Sequence, residues 1–325
     1  MGNPSTCGIG RNRPARLLES ASVITLVCPA CRTPLARAAE RLHCPSCGGD
    51  YPIVHGVPRF EPEDPFYRNE ERWSAPDRST GGLRNRLVRK QRFFLQRLAG
   101  RGGTLLDLGC GGGWALFAQG RYAVGVDIAQ RSLEAARTLY PLAVAAHWTK
   151  LPFPDNSFDT VVSSDVLGHV PFDEKDHVFR ELYRVLKPGG RTLHYIEAEG
   201  VDPLTCFARR WPEDYQKHFI DPEGHIGMER PTAIFARFRR HGFKPIHEVG
   251  AYKVLVYVNR AVQLYDGDYA RRSRWLALWA WTAKAAMRLP VAETLGNLAV
   301  AAGLEVADRA LPVDWGSGVL VEYEK

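Results

Sequence analysis

The amino-acid sequence predicts an α/β fold in which a mostly parallel sheet carries helices on both faces. From about residue 104, short apolar runs alternate with segments of helical periodicity. Two apolar runs end in an acid, at Asp107 and Asp127, and a glycine-rich turn follows the first. This order is typical of a strand, a tight turn, a helix and a second strand, with a ligand site at the carboxyl edge of the sheet.

Hydrophobic periodicity and breaker residues predict the individual elements. Strands are predicted at 104–108, 122–127, 142–147, 158–164, 191–196, 244–250 and 318–323. Helices are predicted at 83–98, 114–120, 130–139, 173–186 and 231–241. The last two helices end at Pro188-Gly189-Gly190 and at Gly242, which are residues that stop a helix.

Composition shifts divide the 325 residues into segments, and a chain of this length holds roughly two domains. Residues 1–25, rich in Arg, Pro, Gly and Ser, are expected to be flexible. Residues 26–60 carry a compact group of cysteines, and the proline-rich, charged segment 61–82 is predicted to be a linker. Residues 83–325 form the α/β domain, with a helical insertion at about 252–316 before the last strand.

Composition indicates a soluble globular protein, with 45% hydrophobic and 24% charged residues. The net charge of +7 suits nucleic acid, anionic lipid or acidic substrates as partners, or simply a solvated surface. No signal peptide is recognised, and the apolar stretch 275–289 is too short to span a membrane and carries two charges. These features predict a cytoplasmic protein.

Four of the seven cysteines form two C-x-x-C pairs, Cys28 with Cys31 and Cys44 with Cys47, separated by 12 residues. Such spacing places four thiolates around one tetrahedral ion, and zinc suits a closed all-sulfur site of structural type. A segment of about 35 residues has too little core to fold alone, so metal binding would supply much of its stability. The alternative is a module whose cysteines no longer bind metal.

The residues around these cysteines are also specific. The chain reads Cys28-Pro29-Ala30-Cys31-Arg32-Thr33-Pro34-Leu35, then Leu42-His43-Cys44, and later Gly56-Val57-Pro58. Over residues 26–60 this pattern resembles the methyltransferase-activator zinc-ribbon family. Members act as partners or fused modules of methyltransferases, tRNA-modifying ones among them. The resemblance implies a docking or stabilising role without chemistry of its own.

The glycine turn has the form D-x-G-x-G-x-G, from Asp107 to Gly113. A dinucleotide fingerprint G-x-G-x-x-G fails here, because its last position would be Trp114 or Leu116. The turn instead resembles motif I of class I S-adenosylmethionine (SAM)-dependent methyltransferases, which implies a Rossmann-like seven-stranded sheet.

Downstream motifs extend the resemblance to the UbiE-like subgroup, over about residues 84–197. They read Leu151-Pro152-Phe153-Pro154-Asp155-Asn156-Ser157-Phe158-Asp159, Asp165-Val166-Leu167-Gly168-His169-Val170 and Arg180-Glu181-Leu182-Tyr183-Arg184-Val185-Leu186-Lys187-Pro188-Gly189-Gly190. Several motifs occurring in order at the proper spacing make this resemblance specific.

The resemblance implies a set of cofactor contacts. Backbone N–H groups of the glycines would approach the methionine tail of SAM, Asp107 would orient its ammonium group, and Asp127 would accept the ribose hydroxyls. The cofactor-binding residues predicted in this way are Asp107, Gly109, Gly111, Gly113, Asp127, Ile128, Trp148 and Asp165.

The adenine end departs from the family pattern. His147 and Trp148 stand where the family usually has an acid and a small residue. Recognition could then use stacking on Trp148 or a backbone N–H, or Trp148 could pack beneath the adenine loop without touching the ligand.

Methyl transfer from a sulfonium is an in-line displacement that requires alignment and shielding from water, but neither a metal nor a covalent residue. A general base helps when the acceptor carries a proton. Candidates near the ends of the fourth and fifth strands or in a lid are Asp165, His169, Glu197, His218 and His225. Each histidine could equally be a packing or surface residue.

The insertion 252–316 combines Arg271, Arg272 and Arg274 with tryptophans that begin at Trp275. Its composition suits a helical lid over the acceptor, a homodimer contact, or a helix on a membrane surface through residues 271–289. It could also stack on RNA, or bury its aromatic face against the core.

Three functions are consistent with the sequence. The first is a SAM-dependent methyltransferase acting on a small-molecule, lipid-linked or glycoconjugate acceptor. The second is an rRNA methyltransferase of guanine-N1 type, since such enzymes also join a four-cysteine zinc module to this core. The third is a non-catalytic interaction protein, which the intact glycines and Asp127 disfavour.

Overall fold

The computed structural model describes residues 24–62, 74–82, 86, 88–220, 224–253, 269–275, 277–278, 281–282, 306 and 308–325. The predictions for nearly all of the N-terminal segment 1–25, for half of the linker 61–82 and for most of the insertion 252–316 lie outside these residues.

A seven-stranded sheet forms the centre of the molecule. Its strands are β5 (Thr104–Leu108), β6 (Tyr122–Asp127), β7 (Leu142–Ala145), β8 (Phe158–Ser164), β9 (Leu186–Glu197), β10 (Lys244–Ala251) and β11 (Gly318–Glu324). The order across the sheet is β10-β11-β9-β8-β5-β6-β7. Strands β7, β6, β5, β8 and β9 pair in parallel, and β11 runs antiparallel to both of its neighbours. This arrangement confirms the predicted fold class.

Helices lie between the strands. They are α1 (Arg89–Leu98), α2 (Ala115–Ala118), α3 (Gln130–Ala136), α4 (Lys175–Val185), α5 (Pro203–Ala208), α6 (Pro212–Tyr215), α7 (Pro231–Arg240) and α8 (Tyr269–Arg272). A π-helical turn (Gln216–Ile220) and a 3₁₀ turn (Val313–Trp315) complete the described elements. Among the residues described, no helix is long and apolar enough to cross a membrane.

The core covers both faces of the sheet. Leu105 and Leu106 are neighbours in β5 with opposite side-chain directions, yet both are completely buried. Leu105 belongs to a cluster that contains Phe94 of α1, and Leu106 to a cluster that contains Phe179 of α4. Burial on both faces explains why the strand is a continuous apolar run and not an alternating one.

Strand β9 begins five residues earlier than predicted. The Lys187-Pro188-Gly189-Gly190 segment, which the sequence predicts to end the preceding helix, is part of the strand. Gly189 N–H donates to the carbonyl of Lys325, and Lys325 N–H donates to the carbonyl of Gly190. The end of the chain thus pairs with this segment, which local sequence could not reveal.

The N-terminal module is a small antiparallel sheet of β1 (Ala36–Ala38), β2 (Arg41–His43), β3 (Asp50–Val54) and β4 (Val57–Pro58). The thiol sulfurs of Cys28, Cys31, Cys44 and Cys47 all lie within 4.8 Å of one another. The Cys31–Cys44 and Cys28–Cys47 sulfur pairs are separated by 3.3 and 3.5 Å. Four converging thiol groups fit one tetrahedral zinc ion, as the spacing predicts.

This module packs against the edge of the main sheet. Phe60 N–H donates to the carbonyl of Ala145 at 2.7 Å, and Arg59 forms a parallel bridge to the same residue of β7. On the other side Val27 N–H donates to the carbonyl of Pro152 at 3.0 Å. The module therefore covers an edge strand that would otherwise expose unpaired backbone groups.

We expect Cys44→Ser to lower the zinc content by about one equivalent per chain, because three thiolates bind the ion far less tightly than four. Elemental analysis of the purified full-length chain measures this loss. Cys206→Ser is the matched control, since Cys206 is exposed and lies outside the cluster. Equal zinc content in the two variants would contradict the assignment of this site.

Candidate functional site

A cavity of about 640 Å³ opens at the carboxyl ends of the parallel strands. Asp107 of β5, Asp127 of β6 and Glu197 of β9 line it, each at or near the end of its strand. The glycine turn, His169 and His225 also line it. Ligand sites in open α/β sheets occupy this edge, which is also where the sequence predicts the site.

Two glycines in the turn leave room for close backbone approaches. Gly109 has a φ of 66°, and a Cβ atom there would lie 2.4 Å from a Val166 methyl carbon. A Cβ atom on Gly112 would lie 2.6 Å from the carbonyl oxygen of Ser74. Any larger residue would push the turn away from Val166 or displace the 74–82 segment.

Asp127 binds the turn itself. Its carboxylate accepts hydrogen bonds from the N–H groups of Gly111 at 2.8 Å, Ile128 at 2.7 Å and Ala129 at 3.0 Å. Burial nevertheless raises the pKa of Asp127 above its ordinary value. A carboxylate offers about four acceptor positions. Three are used here, so Asp127 fixes the shape of the turn and keeps capacity for about one ligand hydroxyl.

Asp107 is buried beneath the turn, and Tyr140 donates a hydrogen bond to its carboxyl group. The Tyr140 hydroxyl donates to Asp107 at 2.7 Å, and its oxygen accepts the N–H of Trp114 at 2.7 Å. Burial raises the pKa of Asp107 to about 7, and the neighbouring charge of Asp127 adds to the effect. Sequence reasoning did not find Tyr140, because no motif spacing connects it to the turn.

His147 and Trp148 both line the cavity. The indole N–H of Trp148 donates to Glu174 at 2.6 Å, and the His147 ring lies 2.8 Å from the Thr149 hydroxyl. Trp148 also packs against the core cluster of α4. The indole is therefore held in place by Glu174 while remaining at the cavity wall, which agrees with either a stacking or a supporting role.

Four of the predicted acid–base residues come together at the other end of the cavity. The His169 and His225 rings have centroids 4.7 Å apart, and His225 Nε2 lies 3.8 Å from Glu197 Oε1. The Asp165 and Glu197 carboxyl groups lie close enough to influence each other's ionisation. We call Asp165, His169, Glu197 and His225 the acceptor cluster.

Lys90 sets the charge of this cluster. Its ammonium group contacts Asp165 and lies 4.9 Å from the centre of the Tyr195 ring. Burial raises the pKa of Asp165, but the Lys90 charge and a hydrogen bond from Ser164 outweigh it and keep that pKa below its ordinary value. Burial, reinforced by the Asp165 charge, raises the pKa of Glu197 well above its ordinary value. Asp165 is thus ionised, while Glu197 tends to keep a proton.

Asp165 also has an unusual backbone conformation, with a φ of 61°. Left-handed backbone at a residue other than glycine costs energy and is enriched at functional sites. The conformation follows directly on the end of β8 and lets the Asp165 side chain reach both Lys90 and Glu197.

His218 is not part of this group. It lies in the π-helical turn Gln216–Ile220, with its ring 6.4 Å from that of Tyr269, and it does not line the described cavity. Arg272, one of the basic residues in the insertion, instead pairs with Asp214 at 2.7 Å and lies over the Trp211 ring.

Two contributors to the cavity escaped sequence reasoning. Lys90 belongs to a run of basic residues in α1 that gave no functional signal. Asp77 lies in the segment read as a linker, where its N–H donates to the carbonyl of Gly113 and its carbonyl accepts the N–H of Ala115. The described part of that segment, residues 74–82, therefore covers the glycine turn.

Comparisons with protein families match two parts of the chain. A family model described as "Methyltransferase domain" matches residues 106–194, which contain the glycine turn and the Asp165 motif. A second model, described as "Trm112p-like protein", matches residues 25–56, which contain the four cysteines.

Solved structures of similar fold include a complex of the Haloferax volcanii Trm112 methyltransferase activator with a methyltransferase. It has a TM-score of 0.47 and 18% identity, and covers 74% of this chain and 90% of that one. Phosphoethanolamine N-methyltransferase 2 of Haemonchus contortus, in complex with SAM, has a TM-score of 0.45 and 20% identity. It covers 76% of this chain and 53% of that one.

Several curated relatives are named as methyltransferases. Methyltransferase GfsG of Streptomyces halstedii is 35% identical over 28% of this chain and 36% of its own. The 27-O-demethylrifamycin SV methyltransferase of Amycolatopsis mediterranei is 36% identical over 29% of this chain and 40% of its own, so the chain spans less than half of both. An uncharacterized methyltransferase of Mycolicibacterium vanbaalenii is 30% identical over 64% of this chain and 80% of its own. The chain therefore belongs to the SAM-dependent methyltransferase family, with a Trm112p-like module at its N-terminal side.

Proposed function

We propose that this protein transfers the methyl group of SAM to a small-molecule, lipid-linked or glycoconjugate acceptor. The observation that carries the proposal is that one cavity among the described residues joins the glycine turn with its two acids to the acceptor cluster. A donor site and a set of proton-accepting side chains in one enclosure are what methyl transfer to a protonated acceptor needs.

The chain offers groups that suit each part of SAM. The turn from Gly109 to Gly113 exposes backbone to the methionine tail, and the buried Asp107 supplies negative charge beneath it. Asp127 has acceptor capacity left for a ribose hydroxyl, and Trp148 presents an aromatic wall for the adenine. These assignments are the proposed binding roles.

SAM supplies a methyl group on a positively charged sulfur, which is the electrophile. The lone pair of the acceptor forms the new bond to the methyl carbon, and the electron pair of the broken C–S bond goes to sulfur. This chain aligns the acceptor and excludes water, and the acceptor cluster takes up the proton that an O–H or N–H acceptor loses.

The relatives and the cavity both favour a small acceptor. The name of the rifamycin relative refers to methylation of a small molecule. The cavity, about 640 Å³, falls within the usual range of small-molecule sites, and the donor would fill part of it. Basic and tryptophan residues of the insertion suit a lipid-linked form of such an acceptor.

RNA is a second candidate acceptor. The match of residues 25–56 to the Trm112p-like model favours it, because activator ribbons of this kind serve tRNA-modifying methyltransferases among others. The net charge of +7 is compatible with RNA, although the basic residues form no continuous stripe in the sequence.

We expect Asp127→Ala to weaken SAM binding at least about tenfold, the loss that corresponds to about 1.4 kcal/mol. The variant loses both an acceptor for the ribose and the hydrogen bonds that shape the turn. Isothermal titration with SAM measures the change, and Asp173→Ala, an exposed acid far along the chain from the turn, is the control. Unchanged affinity in Asp127→Ala would contradict the binding role.

SAM affinity should rise with pH up to about pH 7. In the ligand-free protein the pKa of Asp107 is about 7, so the group is mostly protonated below that pH. A cationic ligand favours the ionised carboxylate, so binding below pH 7 releases a proton and costs free energy. The dissociation constant should therefore fall between pH 5.5 and 7 and level off above.

Asp107→Asn separates this effect from the titration of the ligand's own amino group. The variant should lose the part of the pH dependence that wild type shows below pH 7. If both proteins gave the same profile, Asp107 would not be the titrating group.

Methyl-labelled SAM, incubated with RNA, lipid–glycan and small-metabolite fractions of the host, tests the acceptor class. We expect label in the small-metabolite or lipid–glycan fraction. Label confined to RNA would replace this acceptor class with the second candidate. A wild type that binds no SAM would overturn the whole proposal.

A further inference from the structure

Three side chains of the acceptor cluster have the composition of a metal site. His169, Glu197 and His225 each offer one ligand atom, and these atoms lie within 4.8 Å of one another. The three residues are distant from the four cysteines in the chain, and all three line the cavity. Two imidazoles and one carboxylate are a ligand set that holds zinc, iron or related divalent ions in proteins.

His169 is oriented as metal-binding histidines usually are. Its Nδ1 lies 3.1 Å from the carbonyl oxygen of Gly224. A carbonyl oxygen only accepts, so Nδ1 carries the proton and Nε2 carries the lone pair of the neutral ring. A hydrogen bond from the second ring nitrogen to a backbone carbonyl fixes both tautomer and ring direction in many metal sites.

Glu197 supplies an independent observation. Its Oε2 atom is enclosed, and none of the described residues donates a hydrogen bond to it. The absence of a side chain at Gly168 makes room for this oxygen, since a Cβ atom there would lie 3.2 Å away. A buried carboxylate oxygen without a donor is costly unless a proton or a cation satisfies it.

The geometry points to a divalent transition-metal ion bound by His169, Glu197 and His225, with open coordination positions that take an oxygen atom of the methyl acceptor. Ligand atoms about 2.1 Å from one tetrahedral ion lie roughly 3.4 Å apart. The 3.8 Å between His225 Nε2 and Glu197 Oε1 is close to this value, so small side-chain rotations complete the site.

This inference rests on the proposed function and narrows its acceptor class to molecules with a hydroxyl or carboxyl oxygen. A bound cation holds such an oxygen in a fixed direction and lowers the pKa of a hydroxyl, and Asp165, the cluster member that is not a ligand, takes up the proton. Asp165 next to the site adds negative charge, which is offset by Lys90 in the absence of a cation.

Cobalt(II) is a suitable probe, added to the full-length protein with zinc already in the cysteine module. Isothermal titration should show one equivalent of cobalt bound by wild type. Visible spectra should lack the thiolate charge-transfer band that cobalt in the cysteine site would produce. Cobalt uptake only with that band would mean that the ion replaces zinc there, and would overturn the inference.

The variants His169→Ala and Glu197→Gln should each lose this equivalent of cobalt. The control His177→Ala, an exposed histidine of α4 outside the cavity, should keep it. Circular dichroism verifies the fold of each variant. Because two positions are changed separately, the test remains valid if one variant does not fold. Retention of the equivalent in every folded cluster variant would overturn the inference.

The same preparations separate this inference from the proposed function. Transfer of labelled methyl at an equal rate with and without added cobalt, together with no cobalt uptake, would overturn the metal site and leave the methyltransferase intact. Cobalt binding lost in both variants, but with no label in any acceptor fraction, would support the metal site and overturn the proposed acceptor chemistry.

Discussion

The attachment of the glycine turn to the end of β6 is the contact on which the cavity depends. The N–H groups of Gly109 and Cys110 both donate to the carbonyl of Val126, and the Asp127 side chain accepts a third N–H from Gly111. The parallel pairing of β5 with β6 brings these groups together. Strand β6 therefore shapes the turn that follows β5. This junction determines the form of the cavity around the glycine turn.

The acceptor side is organised by charge instead of backbone pairing. Lys90 comes from α1, Asp165 from the end of β8 and Glu197 from the end of β9. Two carboxyl groups in contact inside a protein cannot both be ionised without a compensating cation. Lys90 stabilises one charge, and the second carboxyl must find a proton or another cation. This constraint links α1, which carries Lys90, to the two carboxyl groups at the ends of β8 and β9.

Sequence reasoning succeeded where the signal was local. The bounds of β5, β6 and β8 are those predicted, because each has an apolar centre and ends at a polar residue or a turn. The glycine turn and its two acids could be recognised as a candidate donor site, since the glycine spacing is contiguous. Grouping Glu197 with His225 required the fold, because the two are separated by 28 positions and by two helices and a π-helical turn. Tyr140 and Lys90 could not be found, since their roles depend on contacts across the sheet edge.

The N-terminal module protects the edge of β7 from pairing with other chains. An uncovered edge strand is a template on which another chain can add a strand, and aggregation begins at such places. Here the cover is part of the same polypeptide, as the Phe60 to Ala145 hydrogen bond shows. It is therefore present at a high effective concentration from the moment of synthesis and need not be captured by diffusion. Loss of the bound metal would therefore have its effect away from the cavity. It would expose the edge of β7, on which another chain could add a strand.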